Sequence, residues 1–294
     1  MATTLSLSIV SSVFVIPYVT PHPIAFEIGP LSVRWYGLAY MTGLLLGWLY
    51  IKQLLKNQRL WDGPPPLSSD HADSMLLWAT IGVVIGGRLG FVLFYEPSYF
   101  LQHPEEVLAI WHGGMAFHGG LVGTGVAMWL FARLNRVAFL TVTDVVSAAV
   151  PIGLFFGRIA NFINAEVVGR VTNVPWAMVF PDAGPDPRHP SQLYEAMLEG
   201  IVLFLIIRYF THNRRSLRWP GYTTGLFLTG YGIARIICEF YREYDPSQFF
   251  SPAPYVTTGM IYSVPMVLLG LYFLFVSRYR AESAAITKGK KSAG

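Results

Sequence analysis

The stretch LTVTDVVSAAVPIGLFF (residues 140–156) runs directly into GRIANFINAEVVGR (residues 157–170), and together they indicate the fold. The first part is apolar enough for the bilayer core, which a helix of about 20 apolar residues can cross. The second part places two arginines, two asparagines and a glutamate within fourteen residues. A membrane-spanning helix that ends in concentrated polar chemistry is therefore predicted.

Similar apolar runs recur along the 294-residue chain, of which 53% is hydrophobic and only 13% charged. This pattern predicts an all-α polytopic membrane protein with seven transmembrane helices, a small extracytoplasmic head segment and an N-terminal arm. The predicted spans are roughly 33–54, 74–95, 113–133, 140–163, 191–210, 222–242 and 256–277.

The spans divide the chain into three parts. We predict an interfacial or extracytoplasmic arm at 1–30, a membrane domain at 31–280 with its head segment at 164–188, and a basic cytoplasmic tail at 281–294. No cleaved signal peptide is expected, because the N-terminus lacks a basic leading segment. The single cysteine, Cys238, excludes an intramolecular disulfide and any multi-cysteine metal site.

The positive charges predict an orientation. Of the 21 Lys and Arg residues, fourteen lie in 52–59, 133–136, 208–218 and 278–291, on one side of the predicted spans, and four lie on the other. Because cytoplasmic loops carry the excess of Lys and Arg, the N-terminus is predicted outside and the C-terminus in the cytoplasm. The pI of about 9.1 therefore reflects membrane topology and not nucleic-acid binding.

Polar residues of six spans fall at one depth, in the outer half of the membrane. They are Tyr36, Arg88, His118, Arg158, Asn161, Gln192, Glu195, Arg235 and Glu239. A channel would need polar groups through the whole depth, so this distribution favours a site in the outer leaflet. Two arginines at matching depth suit a phosphate ester, and the abundant phosphate esters of a leaflet are phospholipid headgroups.

Five stretches carry a resemblance to a known family. They are VRWYGLAY (33–40), WHGGMAFHGGLVG (111–123), GRIANFINAEVVGR (157–170), RHPSQLYEA (188–196) and GYGIARIICEFYRE (230–243). In sequence and order they resemble the bacterial prolipoprotein diacylglyceryl transferases, over residues about 22 to 280. The resemblance implies a seven-helix enzyme of the bacterial plasma (inner) membrane.

The same resemblance implies an activity. The family transfers the diacylglyceryl group of phosphatidylglycerol to the lipobox cysteine of a prolipoprotein, forming a thioether and releasing glycerol phosphate. This is the first step of lipoprotein maturation. The expected partners are phosphatidylglycerol, the precursor's signal peptide and the bilayer, and neither a metal nor an organic cofactor is expected.

Eight residues match functional positions of the family. Arg158 matches the arginine that binds phosphatidylglycerol, and Asn161, Glu166, Gly169 and Tyr36 are expected to bind substrate. The expected catalytic residues are His118, Arg235 and Glu239.

The sequence does not decide which residue accepts the thiol proton. His118 is favoured because imidazole exchanges protons near neutral pH. His112, His189 and Glu239 are competitors.

Three other functions remain to be weighed. A transporter would place polar residues in both leaflets, and a phosphoglycerol transferase would carry an additional acidic metal site. A different outer-leaflet phospholipid-dependent transferase, of which a phosphoglycerol transferase is one example, or a non-catalytic lipid-binding membrane protein, is the alternative. A lipid-binding protein would need the arginines but not His118 together with Glu166 and Glu239.

Overall fold

The computed structural model of the chain describes residues 16–17, 24–29, 31–243 and 256–292, the last twelve of these as backbone only. Of the predicted arm at 1–30, the remaining residues lie outside the described part, as do residues 293–294 of the predicted tail. The described residues are mostly helical.

Nine helices in the described ranges account for most of the chain. They are α1 (Trp35–Lys56), α2 (His71–Phe94), α3 (Pro97–Gln102), α4 (Phe117–Leu134), α5 (Phe139–Ile163), α6 (Ser191–Glu195), α7 (Leu203–Asn213), α8 (Tyr222–Glu239) and α9 (Thr258–Ser292). A π-helical turn, Ala196–Val202, joins α6 directly to α7, so that the α6–α7 segment is one continuous rod.

Each predicted span coincides with a helical segment, with small shifts at the ends. The helix α8 ends three residues before the predicted 242, and α9 continues through Ser292 into the predicted tail. Four helices are long and apolar enough to cross a membrane by length and composition: Trp35–Lys56, His71–Phe94, Phe139–Ile163 and the Thr258–Arg280 part of α9. These helices are consistent with an all-α membrane protein.

Glycines set the closest helix contact, between α2 and α4. A Cβ atom built on Gly82 would lie 2.7 Å from the carbonyl oxygen of Gly123, and one on Gly90 would lie 2.7 Å from the Cα of Gly119. A real Cβ atom does not come so close to a neighbouring atom. The two backbones can therefore touch only because these positions are glycines, which have no Cβ atom. This is the small-residue packing typical of membrane helices, which lack a hydrophobic driving force for association.

Two further pairs complete the bundle. A Cβ atom on Gly225 of α8 would lie 2.8 Å from the carbonyl oxygen of Gly270 in α9, and one on Gly43 of α1 would lie 3.2 Å from the Cα of Gly153 in α5. The helix α5 also contacts α4, the α6–α7 segment and α8. It therefore occupies the centre, and the polar residues at its end meet side chains from several neighbours.

Short strands organise the chain outside the helices. Strands β2 (Ile24–Ile28) and β3 (Leu31–Arg34) form an antiparallel hairpin that leads into α1. Strand β1 (Ile16–Pro17) pairs in parallel with β4 (Met178–Val179). The described part of the predicted arm is thus joined by backbone pairing to the segment predicted as a head.

Arg88 of α2 has a structural role. Its guanidinium donates to four backbone carbonyls, those of Glu106 (2.7 Å), Val107 (2.8 Å), Gly113 (2.6 Å) and Gly114 (3.2 Å). Four of the five N–H donors of this planar fork can thus be assigned to carbonyls, which leaves little capacity for a ligand. Arg88 anchors the loop between α2 and α4.

Asp144 of α5 carries a buried carboxylate. It lies beside the start of α8, at the opposite end of that helix from Glu239. It accepts hydrogen bonds from the backbone N–H groups of Gly221 and Thr224, each 2.7 Å long, and from the Thr224 hydroxyl at 2.8 Å. Backbone N–H groups at a helix start otherwise lack partners, and their dipoles favour a negative charge. Asp144 therefore caps α8 from within α5.

Candidate active site

Three arginines and three glutamates meet at the end of the bundle where α5 finishes and the α6–α7 segment begins. Arg158 comes from α5, Glu195 and Glu199 from the α6–α7 segment, Arg235 and Glu239 from α8, and Arg242 from the turn after α8. We call these six residues the charged cluster. Its formal charge is zero. Pairing of opposite charges reduces the cost of burying ionised groups in a low-dielectric surrounding.

The ion pairs of the charged cluster interlock. Both Nε and Nη2 of Arg158 donate to Oε2 of Glu199, at 3.1 and 3.0 Å, and Nη1 lies 3.2 Å from Oε2 of Glu195. Arg235 donates to Oε1 of Glu195 and pairs with Glu239 one helical turn further along α8. The three spans thereby share one ionic network.

Burial is complete for the acids and partial for the bases. The side chains of Glu195 and Glu199 are fully buried, whereas Arg158 keeps 17% and Arg235 15% of its side-chain surface exposed. Oε1 of Glu199 and Oε2 of Glu195 accept no hydrogen bond within the described residues. Both arginine side chains therefore keep some surface that a ligand can reach, whereas the side chains of Glu195 and Glu199 keep none.

The carboxylates are also unsuited to a cation. Each glutamate of the charged cluster is engaged by at least one guanidinium group, and within the described ranges no group of three His, Cys, Asp or Glu residues could hold a metal ion.

A second polar group lies beside the charged cluster. The amides of Asn161 and Asn164 donate to the two carboxylate oxygens of Glu166, at 3.0 and 3.2 Å. Tyr36 of α1 lies within electrostatic range of that carboxylate and donates its hydroxyl hydrogen to Tyr40. The geometry therefore joins Asn161 to Glu166 by a hydrogen bond, with Tyr36 near enough to interact electrostatically with the same carboxylate.

A strained turn presents Glu166. The residues on either side, Ala165 and Val167, adopt left-handed conformations with φ of 56° and 57°. Such a conformation is unfavourable for a β-branched residue and persists where the surroundings impose it. Here α6 supplies the restraint, because the Gln192 amide donates to the Glu166 carbonyl (2.6 Å) and the Ser191 hydroxyl to the Val167 carbonyl (3.0 Å).

Gly169 lies within a backbone ladder. Its N–H donates to the carbonyl of His189 at 3.0 Å, and it bridges to Arg242 on the other side. A Cβ atom at this position would lie 2.7 Å from the carbonyl oxygen of Tyr241. Glycine here lets the predicted head segment pack directly on the residues that carry Arg242.

The structure does not bring His118 into contact with the charged cluster. Its side chain is exposed in the first turn of α4, and its ring meets the edge of Tyr262 in α9, with centroids 5.8 Å apart. One turn earlier in α9, Gly259 packs against the carboxylate of Glu239. The favoured base, His118, and its competitor Glu239 therefore both adjoin the start of α9.

His189, the competing histidine, has a different environment. Its Nδ1 lies 3.0 Å from the Tyr194 hydroxyl, and burial lowers the pKa of the imidazole. The neutral imidazole is therefore favoured, because burial disfavours the charged form.

Sequence reasoning missed part of the charged cluster. It singled out Arg158, Arg235 and Glu239, but it gave no role to Glu195, Glu199 or Arg242. The signal was present, because Glu195 and Glu199 are four residues apart in an apolar span and share a helix face. Arginines buried at the same depth require such acidic partners.

Comparison with known proteins places this geometry in a family. Residues 23–276 match the family described as prolipoprotein diacylglyceryl transferase. The chain belongs to this family. A protein of Rhizobium meliloti (strain 1021), named phosphatidylglycerol--prolipoprotein diacylglyceryl transferase, is 49% identical over 95% of this chain and 99% of its own length.

Two further relatives carry the same name. The protein of Rhizobium leguminosarum bv. trifolii (strain WSM2304) is 50% identical over 91% of this chain and 95% of its own length. That of Brucella canis (strain ATCC 23365 / NCTC 10854 / RM-666) is 50% identical over 90% and 92%. Family membership confirms the resemblance predicted from five motifs, and the chain is an enzyme of the transferase class.

Proposed function

We propose that this chain transfers the sn-1,2-diacylglyceryl group of phosphatidylglycerol to the lipobox cysteine thiol of a prolipoprotein. The observation that carries the proposal is the charged cluster, whose arginine side chains are partly exposed at one end of an apolar bundle. The names of relatives about half identical over nearly the whole chain support the same reaction.

The proposed topology has seven membrane-spanning segments, which are α1, α2, α4, α5, the α6–α7 segment, α8 and α9. The asymmetry of Lys and Arg supports an extracytoplasmic N-terminus and a cytoplasmic C-terminus in the bacterial plasma (inner) membrane. The charged cluster then lies in the outer leaflet, under the head segment at 164–188. There it could meet both a phospholipid and the lipobox of a secreted precursor.

The reaction exchanges one bond for another. The cysteine sulfur bonds to the terminal carbon of the diacylglyceryl group, and the bond between that carbon and a phosphate oxygen breaks. The bonding electrons leave with glycerol phosphate, and the thiol proton passes to a base. The phosphate changes from a diester with one negative charge to a monoester with up to two.

Arg158 and Arg235 are suited to stabilise this change. Because the negative charge of the phosphate grows as the bond breaks, its attraction to the guanidinium forks is larger in the transition state than in the ground state. The same positive charge favours the thiolate form of the acceptor, which is the nucleophile. When the substrate binds, its phosphate would replace the carboxylates as the hydrogen-bond partner of the guanidinium groups.

We assign the base to His118 and keep Glu239 as the alternative. His118 is exposed and therefore reachable by the thiol, whereas Glu239 is buried and paired with Arg235. Both adjoin the start of α9, so a substrate bound there could meet either group.

The second polar group is assigned to substrate binding. Asn161, Glu166 and Tyr36 offer hydrogen-bond donors and acceptors that suit glycerol hydroxyls or the precursor backbone. Gly169 contributes by allowing the head segment to approach this region closely.

A mass-shift assay tests the proposal. The purified protein is incubated with phosphatidylglycerol vesicles and a lipobox peptide, and we expect the peptide mass to rise by one diacylglyceryl group. Matched controls replace the peptide cysteine by serine and phosphatidylglycerol by phosphatidylethanolamine. Lipid binding without any mass shift would instead support the non-catalytic alternative, and a shift with another phospholipid alone would identify a different transferase.

A further inference from the structure

Glu195 has more guanidinium partners than any other carboxylate of the charged cluster. Its Oε1 accepts hydrogen bonds from Nη1 of Arg235 and from Nη1 of Arg242, the latter at 2.8 Å, and its Oε2 lies 3.2 Å from Nη1 of Arg158. One carboxylate therefore touches three arginines that come from two helices and the turn after α8.

Glu199 provides a matched contrast four residues along the same rod. Its Oε2 accepts both hydrogen bonds from Arg158, and its Oε1 lies 3.8 Å from Arg235 without a hydrogen bond. It is as completely buried as Glu195, but it accepts hydrogen bonds from one arginine and lies within ion-pair distance of only one more. The two acids thus share residue type and burial but differ in the number of arginines that they hold.

The location of Glu195 suits a fixed reference point. It is the last residue of α6. The first two residues of that helix, Ser191 and Gln192, donate hydrogen bonds to the carbonyls of residues 167 and 166 and so hold the helix in place. The π-helical turn that follows is a feature often found at functional sites. A long arginine side chain has many rotamers, and a shared, immobile acceptor removes most of them.

We infer that Glu195 is a positioning residue that orients Arg158, Arg235 and Arg242 as one unit toward the phosphate of the substrate. This inference rests on the proposed function and extends it to a residue without a role in the motif comparison. Removing the charge of Glu195 would leave three guanidinium groups facing two carboxylates. They would repel one another and lose their common orientation, while the total attraction for an anion would increase.

The test compares Glu195→Gln with Glu199→Gln in the mass-shift assay, with phosphatidylglycerol varied at saturating peptide. For Glu195→Gln we expect kcat to fall by about 10²-fold, the scale of a small misplacement of reacting groups, while KM for phosphatidylglycerol does not rise. Glu199→Gln should lower kcat by less than about tenfold, because it releases one fork. A merely structural role would reduce the folded fraction of both variants without this split between kcat and KM.

Glu195→Asp keeps the charge but shortens its reach, and we expect its kcat to lie between those of the parent and Glu195→Gln. If Glu195→Gln does not fold, Glu195→Asp decides by the same criterion, a lower kcat without a higher KM. Equal kcat values for Glu195→Gln and Glu199→Gln, or a parent-like kcat for the folded Glu195 variant, would overturn the inference. Absence of transfer by the parent protein would overturn the proposed function and this inference with it.

Discussion

The two ends of α8 both involve buried carboxylates, yet they differ in what those carboxylates can do. At the first end, Asp144 accepts three short hydrogen bonds from fixed donors of α8, and nothing in that arrangement needs to change. At the last end, Arg235 and Glu239 belong to the charged cluster, in which two carboxylate oxygens lack hydrogen bonds and the arginine side chains are partly exposed. A saturated site stabilises the fold, whereas an unsaturated ionic network can exchange partners with a ligand.

The two ends of α8 are proposed to face opposite sides of the membrane, and cysteine labelling tests this. In a Cys238→Ala background, Asp182→Cys places a thiol in the head segment, and Asn213→Cys places one at the other end. We expect an impermeant thiol reagent to label the first in intact spheroplasts and to spare the second. Membrane disruption, which should expose both thiols, is the control. The reverse pattern would refute the proposed orientation.

Arg158→Ala should have the next largest effect. It removes the fork that Glu199 holds and that the phosphate is proposed to receive, so transfer should fall by about 10²- to 10³-fold. Arg158→Lys keeps the charge without the planar fork and should lose part of that amount. Transfer rates at saturating phosphatidylglycerol measure both, and a near-normal rate for Arg158→Ala would contradict the role.

His118→Gln should lower transfer by about 10²-fold while lipid binding persists, the usual contribution of a positioned base. The residual rate should climb with pH as the peptide thiol ionises unaided, even where the parent rate has levelled off. A pH–rate profile of parent and variant with one peptide provides the measurement. Profiles that differ only in height would make His118 an orienting residue and Glu239 the next candidate.

Arg235 and Glu239 should behave as a unit. Truncating Glu239 alone leaves Arg235 with an unbalanced charge, so the effects of Arg235→Ala, Glu239→Ala and the double variant on transfer should not add. We expect a coupling of about 0.5–3 kcal/mol, the range for residues in one ionic network. Additive effects in the double-mutant cycle would mean that the two residues act separately.

Asp144→Asn should have the smallest effect on activity and a clear effect on stability. The neutral amide accepts fewer of the three hydrogen bonds, which should lower the free energy of unfolding by about 1–3 kcal/mol. Thermal unfolding in detergent measures this loss, and kcat per folded molecule should match the parent. A fall in kcat of the folded protein would show that the two ends of α8 are coupled.

Much of the architecture could be predicted from the sequence, because bilayer thickness sets the length of apolar runs. Seven runs predicted helices, and each coincides with one in the structure. Helix ends were less predictable, because they depend on contacts outside the helix. Just after α8 ends, Arg242 pairs with Gly169 through the backbone. These two residues are distant in sequence, so the sequence near α8 does not indicate this contact.

The candidate site was predictable where residues share a helix and less so where they do not. Arg235 and Glu239 were associated by spacing alone, and the structure pairs them. The partners of Arg158 could not be assigned, since nothing local to α5 indicates that Glu195 and Glu199 approach it. The polar depth pattern also overlooked Asp144, whose carboxylate satisfies the start of a different helix.

The π-helical turn Ala196–Val202 has a consequence for how the chain tolerates changes in length. A π turn contains one residue more than an α turn, because its hydrogen bonds close from i to i+5. Deleting one residue there would restore an ordinary turn, so Leu203 and Ile207 could keep their buried positions in α7. If the deleted residue lies in 196–198, however, Glu195 and Glu199 would be separated by three positions instead of four. Such a deletion would preserve the fold but disrupt the charged cluster, and with it the proposed activity.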